Sequence, residues 1–137
     1  MTPQQLAYIH AKCFTTPRPW TAQEFDDLLQ NRFTFLVPSE HGFALGRSVA
    51  GEAELLTIAV LPRYRNTGIG SFLLTSFETK ARLRESQEAF LEVSDDNFPA
   101  ITLYQRANYK ENGARQNYYK APDGTAKTAL LFRKFLI

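Results

Sequence analysis

A chain of 137 residues with 44% hydrophobic content can bury the core of one domain and is too short for two ordinary ones. A net charge of +2 is too weak to argue for nucleic acid or a membrane as partner. One cysteine and two histidines supply neither a disulfide nor a His/Cys metal cluster, so no metal is expected.

Thr2 as cap and Pro3 in the first turn open a helix carrying Leu6, Ala7, Ile9, His10 and Cys13 at helical spacing. TPRPW (16–20) breaks it. Thr21 and Glu24 match a capping box ahead of a helix over 22–30, with Phe25, Leu28 and Leu29 inward. RFTFLV (32–37) and FALGRSV (43–49) read as strands about the turn PSEHG. EAELLTIAV (52–60) is more apolar and reads as a central strand buried on both sides, with Glu52 and Glu54 marking its start. A helix from about Gly68 to Leu83 follows, with Ile69, Phe72, Leu73, Phe77 and Ala81 as its apolar stripe. AFLEV (89–93) is a short strand, broken by SDDNFPA. A helix over 98–108 carries Ala100, Leu103, Tyr104 and Ala107 on one side. GARQNYY (113–119) and TALLFRKFL (128–136) read as antiparallel strands about the turn KAPDGTAK. The order makes a mixed α/β domain in which 52–60, 68–83 and 89–93 form a right-handed βαβ crossover. No run of about eighteen apolar residues spans a membrane. The start MTPQQLAYIHAKCF lacks a basic region ahead of an apolar block, so a cytoplasmic location is expected.

RYRNTGIG (63–70) places glycines at a strand's carboxyl end and a helix start, where ligands sit in open α/β sheets. Gly68 and Gly70 permit close backbone approach. The first-turn N–H groups have no intrahelical partner and favour an anion, to which Arg63 and Arg65 add charge. The pattern is not G-x-x-x-x-G-K-[ST], and the chain is too small for a doubly wound dinucleotide domain. A diphosphate-bearing ligand and a plain tight turn both remain readings of it. Glu92, between Leu91 and Val93, faces away from both. Tyr104 lies on the next helix, whose start Asn97 and Pro99 mark. One strand–loop–helix unit thus brings a carboxylate and a phenol to one cleft. Singly, each reads as well as an exposed carboxylate, a half-buried tyrosine and a turn residue. Cys13 reads as core and His10 as an ordinary helix residue, so neither argues for a covalent intermediate.

These residues carry a resemblance over nearly the whole chain. HAKCFTTPRPWTAQEF, GEAELLTIAVLPRYRNTGIGSFLL, LEVSDDNFPAITLYQRANY and RQNYYKAPDG resemble the GCN5-related N-acetyltransferases (GNAT), most closely the bacterial RimI branch of ribosomal-protein alanine N-acetyltransferases. The resemblance implies a single N-acetyltransferase domain over 1–137. Its mixed sheet would have a βαβ acetyl-CoA core, antiparallel N-terminal strands and a C-terminal hairpin. It implies that Ile58, Ala59 and Val60 hold the pantetheine arm of acetyl-CoA where the strand splays. It also implies that Arg65, Asn66, Thr67, Gly68, Ile69, Gly70 and Ser71 hold the pyrophosphate, with Asn97 near the pantetheine. Glu92 matches the family's proposed general base and Tyr104 its proposed general acid. Trp20, Tyr118 and Tyr119 border the peptide channel. The acceptor implied is a protein N-terminal α-amine, that of the N-terminal alanine of ribosomal protein S18. Another amine (a small molecule or a lysine) and a catalytically silent acyl-CoA-binding module are the rival readings. Three departures stand out: Asn108–Tyr109 where the family writes Gly–Phe, Arg65 where it commonly writes Gln, and an acidic rim of Asp95 and Asp96 after Ser94.

Overall fold

The computed structural model describes residues 1–136. Helix α1 (Pro3–Cys13) and helix α2 (Ala22–Gln30) precede strands β1 (Thr34–Pro38), β2 (Gly42–Val49) and β3 (Glu52–Val60). Helix α3 (Ile69–Leu83), strand β4 (Glu88–Ser94), helix α4 (Phe98–Arg106) and strands β5 (Lys110–Lys120) and β6 (Ala126–Phe135) complete it. A short 3₁₀ turn, Pro62–Tyr64, lies between β3 and α3. No described helix is long and apolar enough to cross a membrane.

The first two helices start where their side chains say they should. Thr2 and Thr21 each accept the N3 amide, and Gln5 and Glu24 reach back to the cap amides, so each capping box satisfies two orphan donors. Glu24 is also gripped by both terminal nitrogens of Arg18 at 2.8 and 3.0 Å. That pairing holds its carboxyl at about 2.

The sheet runs β1-β2-β3-β4-β6-β5. Its first three strands are antiparallel, β3 and β4 are parallel across α3, and β4, β6 and β5 are antiparallel. This is the expected mixed sheet with its βαβ core, its N-terminal antiparallel strands and its C-terminal hairpin. One core lies under α3 and α4 and includes Phe35, Leu55, Leu73, Phe77, Leu91 and Phe132. A second lies under α1 and α2 and includes Leu6, Ile9, Phe25, Phe43, Leu45 and Ala59. The helices therefore cover both faces, which explains why β2 and β3 are so apolar.

Three local features differ from the pattern or refine it. Phe72, expected on the inner stripe of α3, is 58% exposed. The buried stripe runs through Leu73, Leu74, Phe77, Glu78 and Ala81, and Phe72 is a hundred-degree step off it. Glu78 is buried because it is fully partnered. The Tyr109 hydroxyl donates to it at 2.9 Å and the Lys134 ammonium at 2.9 and 3.1 Å. That network accounts for Tyr109 where a phenylalanine would be ordinary, and Asn108 supplies the left-handed turn before it at φ 71°. Finally, β3 carries a bulge. Leu45 pairs with Thr57 but Gly46 with Leu55, so Leu56 is an extra residue and the side-chain alternation of β3 inverts across it.

Candidate active site

Strands β3 and β4 pair only through Glu52↔Glu88, Ala53↔Ala89 and Glu54↔Phe90. Beyond Glu54 they part, and a gap opens between them. Leu61 donates to the His41 carbonyl at 2.9 Å, which fixes the β2–β3 register. Ile58 and Val60, opposite Ala44 and Gly42, then stand at non-hydrogen-bonded positions, and their N–H and C=O groups turn away from β2. They face the gap. The Val60 carbonyl is met there by the Arg65 Nε at 3.1 Å and the Cys13 thiol at 3.2 Å.

A cavity of about 470 Å³ occupies one side of this gap. It is lined by Ile58, Ala59, Val60, Arg65, Asn66, Gly70 and Asn97, together with Cys13, Tyr64, Asp96 and Leu103 among others. Thr67, Gly68, Ile69 and Ser71 belong to the same loop and helix start without lining that space. The Thr67 hydroxyl closes the loop onto the Tyr64 carbonyl, and Ile69 packs on the core under α3. At the helix start Gly68 has φ 89° and no side chain caps the first turn. Phe72 is the first residue whose amide bonds back, to the Gly68 carbonyl at 3.0 Å. The amides of Ile69, Gly70 and Ser71 are left without an intrahelical partner, as an anion site requires. The two glycines do different work. A Cβ on Gly68 would stand in open space, so its requirement is the left-handed φ. A Cβ on Gly70 would meet the Leu103 side chain at 3.4 Å, so its requirement is the close approach of α3 to α4. These residues fit a long, flexible arm that leads to a diphosphate, and the pantetheine arm of acetyl-CoA has that form.

A second cavity, about 560 Å³, adjoins the first and shares Phe14, Thr16, Ile58, Asn97 and Ala100 with it. The structure brings Glu92, Tyr104, Trp20, Tyr118 and Tyr119 to its wall. Asn97 lies at the junction, where its side chain caps α4 by accepting the Ala100 amide at 3.4 Å. Tyr104 is buried against Tyr109 and Phe132; burial pushes its phenol above the ordinary range, with Tyr119 adding to it. Tyr119 is pushed up to about 12 by burial and then by the Glu92 charge. Glu92 Oε1 is 3.2 Å from Arg115 Nη2.

Sequence reasoning missed several wall residues. Glu54 lies across this second cavity with Arg47 Nη2 at 2.7 Å. It sits between buried Ala53 and Leu55 as Glu92 sits between Leu91 and Val93, so the same alternation argument would have found it. The acidic rim is placed differently from expectation. Asp95 lines neither cavity, and Asp96 lines the first. There the Ser94 hydroxyl at 2.6 Å, with Lys127 at 3.5 Å, holds its carboxyl low. Glu54 and Glu92 supply the acidity of the second cavity. Cys13 is half-buried at the cavity edge as well as against the core under α1; burial raises its thiol. Among the described residues no group of three His, Cys, Asp or Glu could hold a metal ion.

Residues 4–109 match the model of the acetyltransferase (GNAT) family. The chain is 35% identical over 95 residues to a [ribosomal protein bS18]-alanine N-acetyltransferase of Haemophilus influenzae, covering 69% of this chain and 64% of that protein. It is 31% identical over 134 residues to the N-alpha-acetyltransferase RimI of Mycobacterium tuberculosis, covering 91% and 83%. The crystal structure of the ribosomal-protein-S18-alanine N-acetyltransferase from Escherichia coli superposes with a TM-score of 0.83 at 27% identity, over 95% of this chain and 84% of that one. With the splayed strands, the uncapped helix start and a family match over most of its length, the chain belongs to the acetyltransferase (GNAT) family, whose activity is acetyl-CoA-dependent N-acetylation.

Proposed function

We propose that residues 1–137 form one N-acetyltransferase domain of the RimI branch, which acetylates a protein N-terminal α-amine from acetyl-CoA. The acceptor proposed is the N-terminal alanine of ribosomal protein S18. The observation that carries this reading is that Glu92 and Tyr104 share the wall of a cavity that adjoins the coenzyme-sized one at the strand splay. The names of the relatives support the choice of acceptor.

Acetyl-CoA supplies the activated acetyl group as a thioester. The amides of Ile69, Gly70 and Ser71 receive the diphosphate, with Arg65 beside them. Ile58 and Val60 offer peptide groups to the pantetheine arm. The Val60 N–H, turned into the gap, is the donor for negative charge on the reacting carbonyl oxygen. An α-amine has a pKa of about 8 and is largely charged at neutral pH. Glu92, directly or through one water, takes its proton. Tyr104 stays protonated, because a buried phenolate is costly. It therefore serves the leaving thiolate as a hydrogen-bond donor first and as a proton source second.

Mass spectrometry after incubation with acetyl-CoA and a peptide beginning Ala-Arg tests the proposal. A 42 Da gain confined to the N-terminal amine is the expected result. Acetylation only of a lysine, or of the same peptide blocked at its N terminus, would replace this acceptor by another.

A further inference from the structure

Two arginine–carboxylate pairs face the second cavity, and they differ in kind. Arg47 and Glu54 form a hydrogen bond at 2.7 Å between adjacent strands. Arg115 and Glu92 make only an ionic contact at 3.2 Å, and the Arg115 side chain is 52% exposed. Its guanidinium also lies over the Tyr118 ring, 4.9 Å from the centroid. Tyr118 in turn packs edge-on against Tyr119 at 5.3 Å. Arg115 is half-exposed and Glu92 21% exposed, so the pair contributes modestly, and an incoming ammonium can share Glu92 with a guanidinium that stays beside it. The Tyr118 ring face keeps the guanidinium at the cavity, and its five N–H donors exceed what the one contact with Glu92 uses.

From this geometry we infer that Arg115 is a specificity-determining residue that reads the first carbonyl of an α-aminoacyl acceptor. The inference rests on Glu92 as the group that receives the amine. In an amino-terminal residue the carbonyl oxygen is three bonds from the amine nitrogen and about 3 Å away. That separation matches the spacing of the Arg115 and Glu92 tips. A lysine side chain or a simple amine has no carbonyl so near. An acceptor of the right class therefore engages both members of the pair at once, with its ammonium on Glu92 and its carbonyl on Arg115. Any other amine leaves the guanidinium without this second acceptor.

The test uses two acceptors, a peptide beginning Ala-Arg and the same peptide with its first amide replaced by a trans-alkene, which keeps the shape and removes the carbonyl oxygen. Rates are measured with saturating acetyl-CoA for the wild-type chain, Arg115→Ala and Arg115→Lys. The readout is the ratio of kcat/KM for the two acceptors within each protein, in which any loss of folded enzyme cancels. In the wild type the amide is preferred by about tenfold or more, mainly through KM. In Arg115→Ala the ratio falls to the value that the two amines' different basicities alone set, and Arg115→Lys restores part of the difference. A wild-type ratio near one, or a ratio unmoved in Arg115→Ala, overturns the inference while α-amine acetylation stands. If the wild type acetylates neither acceptor, the α-amine reading itself falls, and this inference with it.

Discussion

The His10 Nε2 and the Thr57 hydroxyl stand 3.0 Å apart across 47 positions of sequence. The other ring nitrogen accepts the Trp20 amide at 3.0 Å. A backbone N–H can only donate, so the ring carries its proton on Nε2 and donates it to Thr57. Stacked between Phe14 and Trp20, a neutral imidazole thus pins the α1–α2 loop to β3 at the edge of the second cavity.

Burial lowers the His10 pKa to about 4, against a weaker opposing pull from Glu24. The folded value lies below the unfolded one of about 6.5, so between pH 6.5 and 4 the unfolded chain binds more protons. Stability present at neutral pH is therefore lost as pH falls through that window, by up to about 3 kcal/mol. Urea unfolding at pH 7, 5.5 and 4.5 should show this slope in the wild type and a flatter one in His10→Gln. Parallel slopes would remove His10 as the cause.

The two glycines of the helix start should respond differently. Gly68→Val forces a β-branched residue into φ 89°, at a cost of about 2 kcal/mol or a displaced loop. Calorimetry should find CoA binding weakened about tenfold or more. Gly70→Ala adds only an ordinary contact with Leu103 and should bind CoA nearly as the wild type does. Equal effects at both sites would show that the loop is not holding the diphosphate by its backbone shape.

Tyr104→Phe removes the hydroxyl of a residue in the wall of the second cavity. Turnover should fall by about a hundredfold with little change in CoA affinity, and Glu92→Gln should lower kcat by a similar or larger factor. Steady-state kinetics paired with CoA titration separates the two quantities. An unchanged kcat in either variant removes that residue's role.

Tyr109→Phe restores the residue the family usually carries but strips one donor from buried Glu78. Lys134 remains on both carboxylate oxygens, so the cost should be moderate, about 1.5–3 kcal/mol by chemical denaturation. Lys134→Met should cost more, because it leaves the buried carboxylate only the longer contact with Arg82 Nη2 at 3.9 Å.

Where the sequence was legible, the signals were local. Thr2 with Pro3, and Thr21 with Glu24, announced their helices, and the glycines at 68 and 70 marked the turn before α3. The alternation of Leu91, Glu92 and Val93 gave the face of Glu92 correctly, since β4 is regular from Glu88 to Ser94. What failed to show was set by tertiary contacts. No residue type advertises the bulge at Leu56, yet it puts Thr57, rather than Leu56, under His10. His10 looked like any helix residue because both its partners lie outside α1. Phe72 looked apolar enough to be core, but α3 turns Glu78 inward to meet Lys134, and Lys134 arrives from the far end of the chain. The role of Asp95 and Asp96 depended on which side of the splay the β4–α4 turn faces, and alternation stops where the strand does.

Strand β6 comes after both of its neighbours in chain order and lies between them, so until it arrives β5 has no partner and β4 has only its short pairing with β3. During vectorial synthesis the half-sheet that carries Glu92 and Arg115 stays incomplete until residues 126–135 emerge, whereas β1 to β3 close early. A nascent chain stalled short of Ala126 would therefore protect its first three strands from protease and leave the reactive half open to cutting.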